Sequence, residues 1–193
     1  MKKTAAILFI LMLAALPFDH MIAKACLAIS PAVLQVFQFI THFGESQYIL
    51  IPAAVVLFYC WKKPKLERPF IISLHVFVLV ATTGILIQIP KYIFGRARPK
   101  ALWNQGIDGL HWFGGGASAL TSFPSGHTAT AAALAFALSA FFPRARIPLF
   151  AYVALVALSR ITLQQHYLGD VLGGALAACL VAFYLAKRLP MRV

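Results

Sequence analysis

At 193 residues the chain has room for one compact domain, and 61% hydrophobic against 11% charged residues is not the composition of a soluble one. A net charge of +12, from 17 Lys and Arg against 5 Asp and Glu, would suggest nucleic acid in a soluble protein, but no RNA- or DNA-binding signature accompanies it. Lipid leaves a chain only helices or a closed barrel, and the alternation of barrel strands is absent, so an all-α, polytopic membrane bundle is predicted.

The first apolar run, Ala5 to Phe18, follows Lys2 and Lys3. It has the form of a secretory signal, with Ala23-Lys24-Ala25 as an A-x-A-like site, and equally of an anchor for the spans beyond it; the anchor reading is preferred. Residues 19–46 carry Lys24, Pro31, Gln35, Gln38 and His42 among apolar positions, which predicts an amphipathic segment at the outer interface. Further spans are expected at about 47–61, 69–90, 127–142, 147–160 and 167–186, which makes six with the first.

Orientation follows from the basic residues. Eleven of the 17 flank apolar runs in four clusters: Lys2 and Lys3; Lys62, Lys63, Lys65 and Arg68; Arg144 and Arg146; Lys187, Arg188 and Arg192. Placing all four in the cytoplasm requires an even number of crossings between the first two, which two spans satisfy and a third within 19–46 does not. The 91–126 and 160–166 connections then lie outside. In a bacterium, which the compact Lys-Lys-apolar start suggests, that is the periplasmic side of the inner membrane. Trp103 and Trp112 of the long connection suit the interfacial aromatic belt. Cys26, Cys60 and Cys179 form no C-x-x-C pair and read as packing residues.

Against the positive-inside trend, Lys91, Arg96, Arg98, Lys100 and Arg160 collect on the outer side, with His127, His166 and Asp170 at the outer ends of spans. Basic residues there call for an anionic ligand, since Arg offers forked donors and Lys a point charge to phosphate oxygens. His166 and Asp170 stand four apart, so on a helix they share a face and the carboxylate can hold the imidazole; a helix-end pair without chemistry has the same spacing. Ser122-Phe123-Pro124-Ser125-Gly126-His127 opens the fourth span with Pro in a helix-start position and Ser122 or Ser125 as cap. Free N–H groups there suit an anion and Gly126 admits close approach, although a plain capping segment reads the same way.

Taken together, Lys91-x6-Arg98-Pro99, Pro124-Ser125-Gly126-His127 and Ser159-Arg160-x5-His166-x3-Asp170 resemble the three-part signature of the type-2 phosphatidic acid phosphatase, or lipid phosphate phosphatase, superfamily. All eleven specified residues are present and in order. The signature spans residues 91–170 of a single membrane-embedded domain over 1–193. The resemblance implies that Lys91, Arg98 and Arg160 bind phosphate oxygens, with Ser125 and the Gly126 amide completing the cradle. It implies that His166 attacks phosphorus while Asp170 fixes its ring. His127 would protonate the leaving oxygen and then activate water to hydrolyse the phosphohistidine.

Three fixed cations can neutralise the transferring phosphoryl group, so no cofactor and no metal is implied. The expected partner is a lipid phosphate: phosphatidic acid, phosphatidylglycerol phosphate, undecaprenyl diphosphate and a lipid A phosphate all fit an outward site. A phosphotransferase would carry the same residues, whereas a channel or transporter would not need these spacings. A vanadium haloperoxidase, which shares the oxyanion signature, is disfavoured by the spans. Pro99 reads as a turn, and His20, His42 and His111 as interfacial. His75 inside the third span is a functional candidate without a named partner. Arg96 and Lys100 either widen an anionic funnel or meet lipid headgroups, the second being preferred.

Overall fold

The computed structural model describes residues 1–186, 188 and 189; Lys187 and Arg192 of the C-terminal basic cluster lie outside the described residues. Among the described residues there are ten α-helices. The first, α1 (Lys2–Ala15), runs through a single 3-10 turn into α2 (Asp19–Cys26), so that the whole stretch Lys2–Cys26 is apolar and long enough to cross a membrane. The predicted break after Phe18 is therefore absent as a break: Asp19 continues the helix with φ and ψ in the right-handed region.

The remainder of 19–46 forms α3 (Pro31–His42), which begins at Ser30-Pro31, where proline's fixed φ and missing N–H suit a first helical turn. It packs on α9 (Arg146–Thr162). After a bend at 43–46 the chain enters α4 (Gln47–Cys60), which lies along α5 (Glu67–Leu86). Then α6 (Gln88–Phe94) prolongs α5 and ends on Gly95, whose φ of 50° is the left-handed cap that glycine favours. The long connection predicted from 91 contains a helix of its own, α7 (Pro99–Gln105), which Pro99 opens as its first residue.

The centre of the bundle is α8 (Gly126–Phe141), flanked by α5, α9 and α10 (Leu168–Leu185). Its 16 residues rise only about 24 Å at 1.5 Å each, less than the roughly 30 Å of hydrocarbon. It tolerates this because it is enclosed by protein: Ala129, Ala131, Ala132, Ala133, Ala135 and Ala137 are all at most 2% exposed. Small side chains let neighbouring backbones approach where the lipid offers no hydrophobic drive of its own. Five helical stretches are long and apolar enough to cross a membrane, and α8 is the shorter sixth.

Three chain segments that carry basic residues meet at one end of the bundle. Met1, Thr4, Arg146 and Ala186 line one cavity, so the chain start, the α8–α9 turn and the end of α10 share a side. At the other end gather residues 95–125, 163–167 and the turn before α4, and this is where the charged signature residues meet.

Candidate active site

Two glycines set the frame. A Cβ on Gly174 of α10 would stand 2.4 Å from the Ser125 carbonyl oxygen, and one on Gly173 would stand 2.5 Å from the Phe123 ring. Their absence lets α10 press against the start of α8, where the Ser125 amide donates to the Asp170 main-chain oxygen (2.9 Å). The 95–98 segment is pinned on both sides, Ala97 N to Gly109 O at 2.9 Å and Arg98 N to Ala119 O at 2.8 Å. Four separate segments thereby converge.

The three cations named from sequence come together. Lys91 is buried, and its Nζ donates to the carbonyls of Pro124 (2.7 Å) and Thr121 (2.9 Å), tying α6 to the loop ahead of α8. Arg98 donates from Nη1 to Gln165 Oε1 (2.6 Å) and from Nη2 to Thr121 Oγ1 (2.9 Å). Arg160, 8% exposed, donates from Nη1 to Thr41 Oγ1 (2.6 Å). The Nε atoms of both Arg98 and Arg160 are buried without a protein partner. A buried N–H without an acceptor is costly, so both point to an anionic ligand that supplies one.

His166 is 2% exposed and lies ahead of α10, not on it; Tyr167 is the cap of that helix. The predicted shared helix face is thus replaced by a different arrangement. The ring Nδ1 sits 2.7 Å from the Ser122 main-chain oxygen, and Asp170 Oδ2 is 3.9 Å away. It is Ser122 that makes the hydrogen bond expected of Asp170. Asp170 instead accepts from Ser122 Oγ (2.5 Å) and from the Tyr167 amide (2.8 Å), so it fixes the residue that holds the imidazole. Since a carbonyl only accepts, Nδ1 carries the proton and Nε2 keeps its lone pair. Burial first, then the charges of Arg160, Lys91 and Arg98, hold the His166 imidazole well below its ordinary pKa, which keeps it neutral.

Ser125 is fully buried at the cap position of α8 but makes no capping bond; its Oγ accepts from Thr128 Oγ1 (3.1 Å). Gly126 and His127 line a groove of about 560 Å³ between α4, α5 and the start of α8. Its walls are Leu50, Val80, Ala81 and Ile85, and its rim holds Glu45, Gln47 and Gln88.

Thr41, Thr121 and Gln165 were not singled out from sequence, and Ser122 was named only as a possible cap; each orients a signature residue through its polar side chain. Arg96 does not face lipid headgroups: Nη1 donates to Asp170 Oδ1 (2.6 Å) and Nη2 to Asp19 Oδ2 (2.7 Å). Burial disfavours its charge, but Asp170 and Asp19 outweigh that and raise its pKa. Asp19 is a single acidic residue in the first helical stretch, and nothing in its flanking sequence announces a partner.

Comparison with known proteins places this geometry among relatives. The PAP2 superfamily model matches residues 72–193. The chain is 31% identical over 154 residues to the lipid A 1-phosphatase of Rhizobium etli, covering 74% of this chain and 66% of that protein. It is 31% identical over 148 residues to the lipid A 1-phosphatase of Rhizobium johnstonii, covering 71% of this chain and 60% of that protein, so it spans less than two thirds of either relative's length. The crystal structure of a transmembrane PAP2 type phosphatidylglycerolphosphate phosphatase from Bacillus subtilis aligns with a TM-score of 0.65 at 25% identity, covering 97% of this chain and 98% of that one.

Proposed function

The chain belongs to the PAP2 superfamily, and from that premise we propose that it is a metal-independent membrane phosphatase that removes phosphate from a lipid through a phosphohistidine on His166. The observation that carries the reading is a buried His166 ring, held by the Ser122 carbonyl through Nδ1 and within reach of the charges of Arg160, Lys91 and Arg98, beside the buried, unpartnered Nε donors of Arg98 and Arg160. Phosphoryl transfer needs in-line positioning and charge neutralisation more than covalent help, and these groups supply both.

In the first step the Nε2 lone pair forms a bond to phosphorus as the bond to the lipid oxygen breaks, and His127 hands that oxygen a proton. Lys91, Arg98 and Arg160 hold the phosphoryl oxygens, with Ser125 and the Gly126 amide beside them. In the second step His127 takes a proton from water, the water oxygen bonds phosphorus, the N–P bond breaks and phosphate leaves. The growing positive charge on the His166 ring faces Asp170 at 3.9 Å.

The apolar groove that reaches Gly126 and His127 supports a lipid rather than a soluble ester, since its walls can receive acyl chain while its polar rim meets the headgroup. The activities for which the relatives are named, on lipid A and on phosphatidylglycerol phosphate, share a phosphate on a membrane lipid, which supports that class here. The distribution of Lys and Arg supports a site facing the periplasm of a bacterial inner membrane. Phosphate release from phosphatidic acid, phosphatidylglycerol phosphate, undecaprenyl diphosphate and a lipid A phosphate, with purified protein in detergent, tests the reading. Release from at least one is expected, and release from none sinks it.

A further inference from the structure

A connection of four groups, Asp19, Asp170 and Ser122 buried and Arg96 14% exposed, runs from the N-terminal helix to the ring of His166. Asp19 is 1% exposed, 150 positions before Gly169, whose amide donates to its Oδ1 at 2.9 Å at the start of α10. Its other oxygen accepts from Arg96 Nη2 (2.7 Å), and the opposite guanidinium nitrogen donates to Asp170 Oδ1 (2.6 Å). The guanidinium lies 4.5 Å over the Tyr167 ring, which fixes its plane. Asp170 passes the constraint to Ser122 through Oγ, and the Ser122 carbonyl holds His166 Nδ1. A Cβ on Gly169 would stand 2.9 Å from Asp19 Oδ2, so the close seating of α2 on α10 depends on that glycine.

We propose that Asp19 and Arg96 are positioning residues for phosphoryl transfer, acting on His166 through Asp170 and Ser122 and setting the net charge beneath its ring. The proposal rests on the phosphohistidine reading above. Two carboxylates and one guanidinium sum to one negative charge, and the nearest member, Asp170 Oδ2, lies 3.9 Å from Nδ1, the ring nitrogen that does not attack. As Nε2 bonds phosphorus the ring becomes cationic, and a residual negative charge stabilises it in the step where it forms, not in substrate binding. Without Asp19 the remaining Arg96–Asp170 pair is neutral, so the stabilisation is lost although Asp170 is still present. A staple serving only to dock α2 would have no need of Asp170 as its second partner. The fork of Arg96 is also not replaceable by Lys, whose point charge cannot serve two carboxylates in one plane. A chain shortened past residue 19 would lack this charge.

The test uses the full chain with Asp19→Asn, Asp19→Glu and Arg96→Lys, each checked by elution in detergent and thermal unfolding, then by steady-state and single-turnover kinetics on whichever lipid the parent hydrolyses. Asp19→Asn and Arg96→Lys are expected to lower kcat by about tenfold or more, with KM within about twofold and slower phosphohistidine formation. Asp19→Glu, which keeps the charge, is expected to recover most of the loss. Whichever of the two disruptive variants elutes as a single folded species decides, and a parental kcat in it overturns the proposal, even with a lowered unfolding temperature. A parent that hydrolyses no lipid overturns the functional reading instead.

Discussion

His166 Nδ1 lies 2.7 Å from the main-chain oxygen of Ser122, and that contact, not the Asp170 carboxylate, sets the tautomer of the ring. A main-chain acceptor cannot be removed by substitution, so the orientation survives most side-chain changes around it. Replacing His166 by Asn should abolish turnover, by about a thousandfold or more, while the protein still inserts and folds. Asp170→Asn should fall less far, roughly tenfold to a hundredfold, because the imidazole keeps its Ser122 contact while Ser122 Oγ and Arg96 lose a charged acceptor. Phosphate release measures both. Activity of His166→Asn within about tenfold of the parent removes His166 as nucleophile.

The same site carries a pH signature. Burial and then Arg160, Lys91 and Arg98 hold the His166 ring well below the ordinary value of 6.5. An unfolded chain takes up a proton near that value and the folded ring does not, so His166 costs stability as pH falls through 6.5. The neutral ring, the form the proposed mechanism needs, nevertheless persists in the folded protein below that pH. Removing a neighbouring cation raises the ring's pKa, so in Arg98→Gln the acid limb of kcat/KM should move to higher pH relative to the parent. The comparison is of limb position, since the variant is expected to be slower throughout. A limb that stays in place or moves down contradicts the charge arrangement.

Much of the bundle was legible because membrane helices advertise themselves: the apolar runs of α4, α5, α8, α9 and α10 end within a few residues of where they were expected. The seven residues of α7 were hidden, since a helix that short in a polar connection has no run to betray it and only Pro99 marks its start. The signature residues could be read as types with spacings, but their hydrogen bonds could not. Arg96 sits in the same basic cluster as Arg98 and Lys100, and only packing brings it to Asp19, 77 positions away, and to Asp170, 74 away. Thr41 is likewise 119 positions from the Arg160 it orients. The 19–46 stretch looked amphipathic from Lys24, Pro31, Gln35, Gln38 and His42, whereas its two residues that turn inward, Asp19 and Thr41, gave no such signal.

Gly174→Ala tests the close approach on which the cradle stands. The added Cβ would meet the Ser125 carbonyl oxygen at 2.4 Å and the Ala129 amide nitrogen at 3.2 Å, both backbone, so α10 and α8 must separate. Overpacking of this kind costs roughly 1–3 kcal/mol, and here the displaced atoms belong to Ser125 and Ala129 at the start of α8. A lower unfolding temperature together with at least about a tenfold loss of kcat/KM is expected. Gly116→Ala, with nothing within 4 Å of its Cβ, is the control. Equal behaviour of the two variants would mean that the approach is not required.

Sidedness can be read by labelling. Gly115 is a poor site for a cysteine because its Cβ would stand 2.2 Å from the Lys91 carbonyl, whereas Gly116 is open and exposed. In spheroplasts a cysteine at Gly116 should react with a membrane-impermeant maleimide, and one at the exposed Pro64 should react only after permeabilisation. The reverse pattern overturns the periplasmic placement of the site.

Hydrolysis should proceed in excess EDTA and be inhibited by vanadate. The chain has five acidic residues, and four of them are engaged elsewhere: Asp19 and Asp170 by Arg96, Asp108 by His20 and Glu45 by His42. The fifth, Glu67, opens α5 at the opposite end of the bundle. A dedicated Mg²⁺ site takes carboxylates in near-octahedral geometry, and no pair is free to provide one beside His166. On the proposed reading, Lys91, Arg98 and Arg160 supply the three positive charges for the equatorial oxygens of the transition state. Vanadate takes up that five-coordinate arrangement with a ring nitrogen as an axial ligand, so it should compete with the lipid phosphate and lose affinity in Arg160→Lys, where the buried Nε donor is gone. The measurement is phosphate release in EDTA across a vanadate series for parent and variant. Activity that disappears in EDTA and returns with Mg²⁺ would show that fixed side-chain charge alone does not carry the reaction.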